Sequence, residues 1–89
     1  MEEVVIIAKG RVQGVFFRAG CRAKASELNL SGYAKNLDNG DVEVLIQGSR
    51  HAIDKFVDWI RVGPEGAKVE NIMVTSAKPE ETFTGFKIL

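Results

Sequence analysis

The stretch GYAKNLDNGDVEVLIQG, residues 32–48, leaves this chain few ways to fold. Asp38-Asn39-Gly40 is a hairpin signal, because these residue types accept the left-handed backbone that tight turns between strands require. Before the turn runs a short strand, GYAKNL. After it Val42, Val44 and Ile46 alternate with Glu43 and Gln47, the period of a half-buried strand. An antiparallel pair therefore sits mid-chain, and its flanks must cover the apolar face.

Both flanks repeat one pattern, a helix joined to a further strand. On the N-terminal side, Val4 to Ala8 is a β-branched run expected of a central strand. Phe17, Cys21, Ala25 and Leu28 then recur at helical spacing until Asn29–Gly32 supplies a stop. On the C-terminal side, Ser49 is placed to cap a helix whose apolar face is Ile53, Phe56, Val57 and Ile60. Gly63–Gly66 ends it; VENIMVTSA reads as a strand and TFTGFKIL as a short fifth one. The order β-α-β-β-α-β predicts an α/β (α+β) fold, a ferredoxin-like split βαβ sandwich. Its mixed sheet contains antiparallel pairs and carries two helices on one face. No repeat or linker interrupts the pattern, so residues 1–89 read as one domain with a single core.

Charge narrows the partners. Lys plus Arg and Asp plus Glu are 12 each, so no broad field attracts nucleic acid or a membrane surface, and any anion must be captured locally. RNA-recognition domains share this element order but need aromatics on the central strands, which VEVLIQG lacks. Cys21, the one cysteine, allows no internal disulfide and falls on an apolar helix face as a small core residue. With His51 the one histidine, no metal-ligand cluster can be assembled, and neither metal nor cofactor is expected. His51 itself reads as an exposed residue opening the second helix. Glu2-Glu3 and Glu80-Glu81 read as solvated charge, and Trp59 as packing at the sandwich edge. The apolar run in MEEVVIIAKG is too short for a signal peptide or a membrane span, so a cytoplasmic location is expected, and with no exposed apolar helix face standing out, a monomer.

GRVQGVFFR, residues 10–18, does not fit a plain loop. The first helix must begin near Val15 or Phe16, yet no Ser, Thr, Asp or Asn stands there to accept its first amides. Gly14 permits backbone conformations that let consecutive amides converge, and the positive end of a helix dipole favours an anion at that point. Arg18, one turn in, adds a fork of donors suited to phosphate oxygens. Spacing alone leaves two readings open: a phosphate cradle, or a solvated helix start with a surface arginine. No Gly-Lys-Ser/Thr follows, so this is not a Walker loop.

GRVQGVFFR followed by GYAKNLDNGDVEVLIQG resembles the paired signature of the acylphosphatase family. The likeness extends over essentially the whole chain, including Gly63-Pro64 after the second helix and the closing Phe86-Lys87-Ile88. An asparagine 18 residues after the arginine makes the pair more specific than either motif. Ala34 and Tyr33 stand where valine and tryptophan are commoner in the family. The resemblance implies a ferredoxin-like sandwich that hydrolyses acyl phosphates to carboxylate and inorganic phosphate, the phosphate being product and inhibitor. It further implies that Arg18 binds the phosphoryl group and that Asn36 positions the attacking water. On the same resemblance the loop amides of Gln13, Gly14, Val15, Phe16 and Phe17 would complete the cradle.

The chemistry suits these residue types. The departing carboxylate is stable without protonation, so no strong general acid is required. Catalysis reduces to positioning and to stabilising charge on the phosphoryl oxygens. Guanidinium and amide donors do the second, and a neutral carboxamide orients water without adding negative charge. The alternative from another class is a non-catalytic anion- or ligand-binding module on the same fold, which only the pairing of Arg18 with Asn36 argues against.

Overall fold

The computed structural model describes residues 1–89. Its elements follow the predicted order: β1 (Glu2–Arg11), α1 (Phe17–Glu27), β2 (Ser31–Asn36), β3 (Val42–Gly48), α2 (Arg50–Ile60), β4 (Lys68–Ala77) and β5 (Phe86–Ile88). The sheet order is β4-β1-β3-β2-β5. β3 lies between β1 and β2 and is antiparallel to both, and β4 is antiparallel to β1. β5 adds to the outer edge of β2 in parallel, which makes the sheet mixed. This is the split βαβ sandwich with its short fifth strand.

Periodicity explains which side chains meet. Val4, Ile6 and Ala8 of β1, Val44 and Ile46 of β3 and Ala34 of β2 are buried on one face of the pleat. Against them pack Phe17, Cys21 and Ala25 of α1 and Ile53, Phe56 and Ile60 of α2. The Ser49 hydroxyl accepts from the Ala52 amide at 3.2 Å and caps α2 as expected. His51 is exposed. Trp59 is half-buried, its ring tilted against Phe56 at 5.5 Å between centroids. Burial pushes the Cys21 thiol up to about 12, so it remains protonated and inert as a nucleophile.

The other sheet face departs from expectation. Glu3 is not solvated: it is buried, and its carboxylate accepts from Gln47 Nε2 at 2.7 Å. Gln47 is buried too. It donates to the Glu81 carbonyl at 2.7 Å and accepts from the Phe83 amide at 3.0 Å. The chain between β4 and β5 folds back over this face and sets Phe83 edge-on against Tyr33. The alternation of β3 is real, but its polar side faces protein.

Two glycines allow close approach between neighbouring elements. Gly20, costly inside a helix, sits where an added Cβ would lie 3.0 Å from Pro64 and 3.6 Å from Trp59, so α1 approaches the turn after α2 closely. Gly32 is more constrained: its φ is +144°, and a Cβ would fall 1.8 Å from the Leu45 carbonyl oxygen. Main chain cannot yield as a flexible side chain does. Gly32→Ala is expected to destabilise by about 3 kcal/mol or more, well above a typical substitution. At about 4–8 °C per kcal/mol for a domain of this size, the drop should be plain in a thermal melt.

Candidate active site

The loop from Val12 to Phe17 carries β1 into α1, and its two phenylalanines have opposite fates. Phe17 is 1% exposed in the core, while Phe16 is 86% exposed. The helix begins at Phe17, one or two residues later than expected, because Phe16 adopts the left-handed conformation (φ 58°, ψ 26°). Such a backbone costs a bulky residue about 1–3 kcal/mol, and burial of Phe17 on the next position helps hold it. Gly14 is also left-handed (φ 73°), and a Cβ there would meet nothing, so its requirement is conformational. A left-handed residue followed by a helical one turns successive N–H groups toward one side.

No side chain caps α1. The first intrachain amide bond of the helix is Gly20 to the Phe16 carbonyl at 3.0 Å; the amides of Phe17, Arg18 and Ala19 precede it without an acceptor. Beside them opens a concavity of ≈ 270 Å³ lined by Gly14, Phe16, Phe17, Arg18, Ala19 and Ile88. The Arg18 guanidinium is half-buried, and Nη1 donates to the Leu89 main-chain oxygen at 2.6 Å. That bond fixes the fork and leaves the other guanidinium donors available.

Asn36 ends β2, exposed and paired in register with Val42. Two positions from buried Ala34, it projects from the same sheet face as α1. It does not line the concavity and makes no hydrogen bond to Arg18. Two hydrogen-bonded routes bring them together instead. The Leu89 amide donates to the Ala34 carbonyl at 2.9 Å, tying the residue that holds Arg18 to β2, the strand that carries Asn36. On the other side, Gln13 Nε2 donates to the carbonyls of Leu37 at 2.8 Å and Asp41 at 2.9 Å. Sequence reasoning had given Gln13 only a backbone amide and had missed Ile88 and Leu89; all three contacts depend on pairings far apart in the chain.

The fold is an α+β sandwich with an uncapped helix start beside an arginine. The family model described as acylphosphatase matches residues 4–88, and the chain belongs to the acylphosphatase family. It is 48% identical to an acylphosphatase of Vibrio parahaemolyticus over 83 residues, covering 93% of this chain and 91% of the relative. The crystal structure of acylphosphatase from Bacillus subtilis superposes with a TM-score of 0.96 at 38% identity, covering 100% of this chain and 99% of that one. An acylphosphatase structure from Coxiella burnetii gives 0.94 at 38% identity, covering 99% and 92%.

Proposed function

We propose that this chain hydrolyses the carboxyl–phosphate bond of acyl phosphates by in-line attack of water, with Arg18 and Asn36 as its catalytic pair. The reading rests chiefly on the acceptorless amides at the start of α1 beside Arg18. The phosphoryl group lies against the amides of Gln13 to Phe17 and the guanidinium, which take up the charge that develops on its oxygens. Asn36 holds the water opposite the leaving carboxylate. The water oxygen bonds to phosphorus as the bond from phosphorus to the acyl oxygen breaks. The carboxylate departs with the electron pair, and the water proton passes to the substrate's own oxygens, since no carboxylate or imidazole lines the concavity. Residues 1–89 act as one unit, a cytoplasmic monomer whose partners are the acyl phosphate and its product phosphate, with no nucleic acid or membrane.

The direct test is release of phosphate from benzoyl phosphate by the purified protein. Turnover should persist unchanged in excess chelator, because arginine and amides take the place magnesium has in other phosphoryl transfers. Activity lost to the chelator and restored by magnesium overturns this mechanism; no turnover of any acyl phosphate leaves the binding-module alternative. Phosphate should bind the same cradle and raise the melting temperature by mass action. A melt that tens of millimolar phosphate leaves unmoved, at matched ionic strength, counts against the cradle.

A further inference from the structure

Gln13 holds two main-chain carbonyls with one side-chain nitrogen, and both belong to the turn that follows Asn36. The acceptors are Leu37 and Asp41, 24 and 28 residues away. They are also the last pair of the hairpin, since the Leu37 amide donates to the Asp41 carbonyl at 2.8 Å. The turn they close is itself braced. The Asp41 carboxylate accepts from Lys9 Nζ at 2.7 Å and from Asn39 Nδ2 at 3.2 Å, and the Asp41 amide donates to Asn39 Oδ1 at 3.0 Å. Asp41 is 9% exposed. One end of the Gln13 clamp is thus the phosphate loop, and the other is a fixed platform adjoining Asn36.

We propose that the Gln13 side chain is a positioning residue for the hydrolysis, setting Asn36 against the phosphoryl group held by the loop. The proposal rests on the catalytic reading above and deepens it. Two carbonyls facing one group admit a donor with two hydrogens and nothing else among the neutral side chains of this length. A shift of about 1 Å between a bound phosphoryl group and its water costs a large factor in rate while barely touching affinity. Gln13 would therefore act on turnover through Asn36, and the backbone amides and Arg18 would retain the phosphate.

Two variants separate this from a merely structural role. Gln13→Met keeps the length and packing of the stem but loses both donors; Gln13→Glu keeps the shape but aims an acceptor at two carbonyl oxygens. Both should lower kcat for benzoyl phosphate about tenfold or more while the inhibition constant for inorganic phosphate moves less than about threefold. Gln13→Glu should be the slower. In phosphate-saturated protein, the Asn36 side-chain amide resonance should shift in Gln13→Met while the Arg18 guanidinium resonance stays in place. Unchanged kcat, or kcat and phosphate affinity lost in equal proportion, overturns the proposal, as does an Asn36 resonance that does not move. A wild-type protein without acylphosphatase activity would sink the catalytic reading instead, and the resonances would still report whether Gln13 sets Asn36.

Discussion

Replacing Asn36 with alanine is expected to collapse turnover and leave phosphate inhibition nearly normal. The carboxamide lies at the end of β2, outside the concavity formed by the loop and Arg18, and makes no hydrogen bond that the fold depends on. Its removal leaves the acceptorless amides of α1 and the guanidinium where they are. On the proposed mechanism the water then loses its positioning group, and with it an orientational contribution to the rate. A group that acts only on the transition state lowers kcat without changing ground-state affinity. Because the side chain is exposed, the variant should fold as wild type does, and a superimposing thermal melt checks that directly. Near-wild-type kcat in Asn36→Ala would make the asparagine structural and assign the water to another group.

Arg18→Ala should fail differently. The guanidinium is expected to meet the phosphoryl oxygens before and during attack, so its loss weakens phosphate inhibition and lowers kcat together. The fall in kcat should be at least ~10²-fold, the scale of losing one oxyanion donor. Stability should suffer little. The bond to the Leu89 oxygen is exposed, and a hydrogen bond of this kind contributes about 0.5–1.5 kcal/mol. Measuring kcat and the phosphate inhibition constant on both variants distinguishes holding the anion from placing the water. An Arg18→Ala protein that retains wild-type phosphate affinity would move the anion site elsewhere.

The sandwich was legible because period and burial agree on its inner face. Phe17, Cys21 and Ala25 recur at helical spacing and are the buried residues of α1. Val42, Val44 and Ile46 alternate and are buried in β3. The outer face was not legible. Whether Glu3 and Gln47 meet water depends on where the chain around Glu81 and Phe83 lies, and no local pattern encodes that. Gly20 was opaque for the same reason: its neighbour is Pro64, in the turn after the other helix. At the proposed site, the missing cap of α1 was readable, and Arg18 and Asn36 are proposed from two motifs. The helix start was misplaced because a phenylalanine in the left-handed region is rare enough that spacing alone argues against it. The reach of the Gln13 side chain could not be read at all, since its acceptors are carbonyls, which every residue carries.

The contact between Arg18 and Leu89 closes a loop of 71 residues, and Gln13 closes others of 24 and 28. Helices and the central hairpin need only short segments to meet, so they can gather early at small entropic cost. Docking of β5 onto β2 spans far more chain and belongs to the slow, topologically distant events of folding. In refolding, the helices and hairpin are therefore expected to form before the guanidinium is anchored. Recovered activity is then a stricter clock for completion of folding than any signal from secondary structure.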